Sequence, residues 1–211
     1  DEIDYKYPMS NAYYSYTKMS SFANTGVSLY TNFDGRLDAD YGNALWVASD
    51  DGKGVLDTDA LDWDIFQTLN LNPNAMLIVN INMDAPDWWK TANQDQLIKD
   101  EDGATVNEVS FASTEYRTAA SAIVQDIVEH LSTASYKHRI CGIRFSGGET
   151  SEWMYYTDSE NQVHDYSEVM KNAYNSAYGH STIPTEAQRK EGSFGALMDI
   201  SNSTDAAVIQ Y

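Results

Sequence analysis

The chain has a single cysteine, Cys141, so no disulfide can form within it. Cys141 lies in the apolar run "RICGIRF", where a small buried thiol is expected. Basic side chains are also scarce, with 13 Lys and Arg against 32 Asp and Glu, a formal net charge of −19. So negative a surface repels phosphate backbones and anionic lipid, and neither nucleic acid nor a membrane is an expected partner. No apolar run approaches the ~18 residues of a membrane span. No signal-peptide pattern is visible at the N-terminus. The four histidines, His130, His138, His164 and His180, show no metal-ligand spacing. Neither a metal nor a cofactor is expected. Repeats and low-complexity linkers are absent too, so residues 1–211 read as one domain.

What the chain does have is 42% hydrophobic and 12% aromatic residues over 211 positions, enough for one sizeable core. "MSNAYYSYTKMSSFANTG" reads as a helix ending near Gly26, with Tyr13, Tyr16, Met19 and Phe22 at helical spacing. "VSLYTNF" reads as a strand, followed by a polar loop rich in Asp and Gly. "DALDWDIFQTLNLNPNA" reads as a helix capped by Asp59 and stopped by the Asn72-Pro73-Asn74 turn. "AMLIVNINM" is nearly all apolar and of strand length, the signature of a strand buried on both faces. A long loop is expected from Asp84 to about Ser113. The clearest helix is "STEYRTAASAIVQDIVEHLSTAS", with Ser113 as N-cap. Its apolar face would carry Tyr116, Ala120, Ile123, Val124, Ile127, Val128 and Leu131. "RICGIRF" is a further strand, "DYSEVMKNAYNSAYG" a further helix, and "STDAAVIQY" the start of another.

Strands alternate with helices, and the longest loops follow the strands, which is the pattern of a parallel α/β fold. A dinucleotide-binding sheet needs a Gly-rich turn opening a helix after its first strand, and "VSLYTNFDGRLDAD" has none. A (β/α) barrel of the TIM type is the favoured architecture. A complete one takes ~250 residues, and only three or four βα units can be counted here. The expectation is an incomplete barrel.

In such folds the functional residues sit on the loops after the strands. "FSGGETSEW" follows the strand "RICGIRF" and places Glu149 and Glu152 behind two glycines and beside Trp153. A glutamate held against an aromatic wall is partly desolvated, which raises its pKa toward that of a general acid. The bland reading is a solvated loop acid. "NMDAPDWWK" follows the strand "AMLIVNINM", with Asp84, Trp88 and Trp89 around the breaker Pro86. Flat rings beside a carboxylate suit the C–H faces of sugars; alternatively one Trp belongs to the core. "DTDALDWD" matches a calcium loop in acid density alone, without Gly at its sixth position or Glu at its twelfth, and reads as an acid-rich helix start. "SGGET" lacks a lysine to cradle phosphate, and its glutamate would repel the anion.

Three segments together carry a family likeness: "NPNAMLIVNINMDAPDWW", "VSFASTEYRTAASAIVQDIVEHL" and "RICGIRFSGGETSEWMYY". Their order and spacing, over roughly residues 55–190, resemble β-galactosidase-like glycoside hydrolases of the clan A (β/α)8 type. The resemblance implies a general acid/base glutamate at the end of the fourth strand, a place that Glu152 occupies here. It also implies a nucleophilic glutamate at the end of the seventh strand, beyond the span that these segments cover. Two positions depart from the pattern: Ser151 stands where many members have Asn, and Glu149 where relatives often carry His.

The reading that follows is a fragment of a retaining glycoside hydrolase acting on β-linked, galactose-type sugars. Glu152 is the expected acid/base, and Asp84, Trp88, Trp89, Glu149 and Trp153 are the expected substrate-binding residues. A retaining mechanism needs a second carboxylate about 5–5.5 Å from the first. Glu149 is a poor choice, because two acids three residues apart on a strand-to-loop segment diverge. The alternative is a non-catalytic carbohydrate-binding or self-assembling domain that associates through open sheet edges. A third possibility is an acidic structural protein with no cleft near Glu152. Secretion is expected from the polymeric substrates such enzymes meet.

Overall fold

The computed structural model describes residues 24, 29–37, 44–147, 165–179 and 183. They fall into two units, one within Asp1–Trp89 and Thr118–Met154, the other within Lys90–Arg117 and Tyr155–Tyr211. In chain order the elements are β1 (Leu29–Arg36), β2 (Trp46–Val47), β3 (Val55–Leu56), α1 (Thr58–Leu71), β4 (Met76–Asn82) and α2 (Asp87–Ala92). There follow β5 (Leu97–Lys99), β6 (Thr105–Val109), α3 (Thr114–Thr133), β7 (Ile140–Ser146) and α4 (Glu168–Tyr178). Asn24 is helical, and the rest of the helix expected at residues 9–26 lies outside the described residues, as does "STDAAVIQY".

The first unit is built on a parallel sheet with strand order β1-β4-β7. Each strand joins beside its predecessor, with Arg36 opposite Asn82 and Asn82 opposite Ser146 at the C-terminal ends. The parallel α/β class expected from the sequence is therefore present, while no closed barrel is formed among the described residues. β4 lies between its two partners, and Met76, Leu77, Val79, Asn80, Ile81 and Asn82 are all buried. That explains its nearly continuous apolar run, interrupted by Asn80 and closed by Asn82, since a strand covered on both faces favours apolar groups on both.

β7 departs from expectation. Cys141, expected to be buried, is exposed, as are Arg144 and Phe145. The reason is position: among the described strands β7 pairs with β4 alone, so its apolar residues lack the cover that β4 has.

α1 starts earlier than the pattern suggests. Its cap is Asp57, whose carboxylate accepts the Asp59 N–H at 3.1 Å. Asp59, the expected cap, is instead an acid in the first turn, where it favours the helix dipole. The stop is as expected: Asn72 accepts the Asn74 N–H through Oδ1 at 3.1 Å, an Asx turn that ends the helix. Leu61, Ile65 and Thr68 are buried, and α1 packs on β1.

α3 has the N-cap read from the sequence, Ser113 Oγ accepting the Tyr116 N–H at 3.0 Å. Its buried stripe is narrower than predicted. Ala120, Ile123, Ile127 and Leu131 are buried, Tyr116 and Val124 half-buried, and Val128 exposed.

The segment that the sequence suggested was a loop, residues 84–113, carries α2, a 3-10 turn (Gln94–Gln96) and the antiparallel β5–β6 hairpin, the last two in the second unit. Short apolar pairs such as Leu97-Ile98 are below the length at which a strand is legible. The hairpin turn is closed by Asp100, whose carboxylate accepts the Ala104 N–H at 2.7 Å. α4 is capped by Ser167 Oγ on the Met170 N–H at 3.2 Å, packs on the 3-10 turn and ends at Gly179, whose φ of 76° an L side chain resists. Among the described residues no helix is long and apolar enough to cross a membrane.

Candidate functional site

The C-terminal ends of β1, β4 and β7 are tied by backbone bonds that continue past the strands. Leu37 N–H donates to the Asn82 carbonyl at 3.1 Å, and Met83 N–H to the Ser146 carbonyl at 2.7 Å. Asn82 and Ser146 are buried beneath this rim. The chain leaving β4 is turned by Asn82, whose Oδ1 accepts the Asp84 N–H at 2.8 Å, so Asp84 is held two residues beyond the strand end. Ala85 and Pro86 are buried, and α2 begins at Asp87.

The two tryptophans of α2 have different fates. Trp89 is 4% exposed, so the ring expected to line a sugar subsite is part of the interior instead. Adjacent residues on a helix point about 100° apart, so one of the pair turns inward while the other does not. Trp88 is half-buried, and its indole N–H donates to the Trp46 carbonyl at 3.1 Å. The two indoles meet edge to face, centroids 5.2 Å apart and planes at 84°. Trp46 is fully buried, and its own Nε1–H donates to the Lys53 carbonyl at 3.0 Å.

Trp46 and the turn after it fall in the segment whose sequence suggests a polar loop. They form the β2–β3 hairpin, with Trp46 opposite Leu56 and Val47 opposite Val55. The signal was the Asp51-Gly52 turn pair between two apolar dipeptides, a hairpin cue too short to stand alone. Ser49 organises this turn. Its hydroxyl donates to Asp51 at 2.5 Å and accepts the Gly54 N–H at 2.8 Å. The Ser49 bond, helped by the Lys53 N–H, holds the Asp51 carboxyl below the usual carboxylate range.

The remaining expected residues, Glu149, Glu152 and Trp153, lie outside the described residues. β7 ends at Ser146, so they follow it on the chain. Of the predicted set, Asp84 and Trp88 lie together on the segment after β4.

The described residues also form two buried or half-buried polar clusters. Asp62 on α1 accepts from His130 Nε2 at 2.7 Å and from the Tyr136 hydroxyl. Burial first, and then the Asp62 carboxylate, push the Tyr136 phenol well above its ordinary range. In the second unit, Asp165 accepts from Ser110 Oγ at 2.6 Å and from the Ser167 N–H at 3.2 Å. Burial raises its carboxyl above the usual range, against the lowering effect of those bonds.

No protein-family model matches the sequence, and no curated protein matches it. Two solved glycosidases are similar to it in structure. One is the beta-galactosidase from the psychrophilic Marinomonas ef1, with a TM-score of 0.49 and 16% identity, covering 94% of this chain and 29% of that one. The other is alpha-L-fucosidase isoenzyme 2 from Paenibacillus thiaminolyticus, with a TM-score of 0.43 and 13% identity, covering 98% and 26%. The chain spans less than a third of the length of either.

Proposed function

We propose that the chain is part of a retaining glycoside hydrolase acting on β-linked, galactose-type glycosides, with Glu152 as general acid/base. The observation that carries this reading is the parallel β1-β4-β7 order. In a parallel sheet all strands end on one side, so the segment with Asp84 and Trp88 and the one with Glu149, Glu152 and Trp153 leave from the same edge. Functional residues in parallel α/β folds gather at that edge. Asp84 would accept hydrogen bonds from sugar hydroxyls, and Trp88 and Trp153 would offer apolar faces. Glu152, protonated, would give its proton to the leaving oxygen, and Glu149 would raise its pKa by like-charge repulsion. The nucleophilic carboxylate is not assigned. Secretion and a partial barrel spanning residues 1–211 belong to the same proposal.

The test is hydrolysis of aryl β-galactosides and lactose by the wild type and Glu152→Gln. An acid catalyst matters most when the leaving group is poor. The variant should therefore lose far more activity on lactose than on a dinitrophenyl galactoside. Equal loss on both substrates, or none, would count against Glu152 as the acid. A wild-type protein with no hydrolysis would favour the second reading, a sugar-binding or self-assembling domain. The exposure of β7, with Cys141, Arg144 and Phe145 open, favours assembly as that alternative.

A further inference from the structure

We propose that the β2–β3 hairpin is a positioning element for Trp88, acting through Trp46 and Gly54; its role in sugar binding rests on the functional reading above. α2 is six residues long and begins directly behind Pro86, so the helix itself fixes little of the ring's orientation. The hairpin fixes it from outside. The Trp46 carbonyl takes the Trp88 N–H at 3.1 Å, and the Trp46 ring meets that of Trp88 edge to face.

Trp46 is held in turn. It is wholly buried, and its N–H closes the hairpin turn on the Lys53 carbonyl. Gly54 is where the turn backbone touches both indoles. A Cβ at this position would lie 2.1 Å from Trp46 Nε1 and 2.7 Å from Trp88 Cζ2, and its φ of 76° already disfavours a side chain. A glycine is required here on both counts. Ser49 fixes Gly54 by accepting its N–H at 2.8 Å. The result is an indole with its N–H on a fixed backbone acceptor and its ring half-buried, on the same segment as Asp84. A stacking platform needs that combination, because a ring locked beforehand loses less entropy when a sugar settles on it.

The experiment uses the full chain labelled with 5-fluorotryptophan and read by 19F NMR, with lactose as the probe. The Trp88 and Trp89 resonances are assigned by their loss in Trp88→Phe and Trp89→Phe. Without sugar, Gly54→Ala should move the Trp88 resonance and leave that of Trp89 in place. Its lactose affinity should fall roughly tenfold. Trp46→Ala should do the same, and Trp46→Phe, which keeps a ring edge against Trp88, should restore most of both. If Gly54→Ala does not fold, the Trp46→Ala and Trp46→Phe pair decides. An unmoved Trp88 resonance in a folded Gly54→Ala or Trp46→Ala protein overturns the positioning role. Wild-type lactose binding that these variants leave intact also overturns it. A wild type unmoved by lactose defeats the sugar reading instead, and the sugar-free spectra still decide whether the hairpin sets the ring.

Discussion

Ser110 donates its hydroxyl to Oδ2 of Asp165 across 2.6 Å, although 54 residues lie between them in sequence and both are buried. The bond joins the end of the β5–β6 hairpin to the start of α4 and places a carboxyl group where water does not reach. Each consequence of such a site can be measured.

Burial raises the Asp165 pKa in the folded state above its unfolded value. The folded protein thus holds that proton more tightly, and the contribution is complete below the unfolded pKa. It is lost as pH rises through the folded pKa. Asp165→Asn, which keeps an acceptor for the Ser167 N–H, should therefore be neutral or stabilising at pH 7 and should remove this part of the pH dependence. Asp165→Ala should cost about 2–3 kcal/mol, since Ser110 and the Ser167 N–H lose their buried acceptor. Urea unfolding of both variants between pH 4 and 8 checks this. An Asn variant as unstable as the Ala variant would mean that the charge itself is needed.

The alkaline side belongs to Tyr136. Its folded pKa is raised above the unfolded value, so its contribution is complete below about pH 10 and is lost as pH rises beyond it. Wild-type melting temperature should fall above pH 10 more steeply than that of Tyr136→Phe. At pH 7 the variant should be less stable by about 1–2 kcal/mol, because Asp62 loses one of its two donors. Parallel alkaline slopes in the two proteins would remove Tyr136 as the cause.

Ser113 does two things with one hydroxyl. It caps α3 by accepting the Tyr116 N–H, and it donates to Gln96 Oε1 at 2.8 Å in a buried position. Ser113→Ala should cost about 2 kcal/mol, more than an isolated cap. A loss below about 0.5 kcal/mol in denaturant unfolding would show that another group takes over both bonds.

Cys141 should react with a thiol reagent in the native protein, because it is exposed on β7. Titration with a chromogenic disulfide should modify one thiol per chain without denaturant. A reaction that waits for unfolding would place Cys141 in an interior and restore the expectation drawn from its apolar neighbours.

The fold was legible where patterns were long. The nearly continuous apolar run from Ala75 to Ile81, interrupted only by Asn80, gave β4, and the 3.6-residue period from Ala120 to Leu131 gave α3. Caps at Ser113 and the Asn72 stop follow from side chains that bond their own backbone, a matter of a few residues. Short pieces were not legible. Two-residue strands such as β2 and β3 carry no period, so the hairpin that holds Trp46 looked like a polar loop. The candidate site was half legible in the same way: the sequence marks Asp84 and the Trp88-Trp89 pair, but not Gly54 or Trp46.

What the sequence determined by itself is local: which of the longer segments are helix or strand, the Ser113 cap of α3 and the Asn72 stop of α1. Hydrogen bonds over three or four residues and apolar periods settle such things before the chain meets itself. Tertiary structure alone decided the rest. It turned Trp89 into the interior and left Trp88 half-buried, exposed Cys141 on a strand paired on one side, and paired Ser110 with Asp165. Burial depends on what packs against a residue, and that partner is rarely a neighbour in sequence.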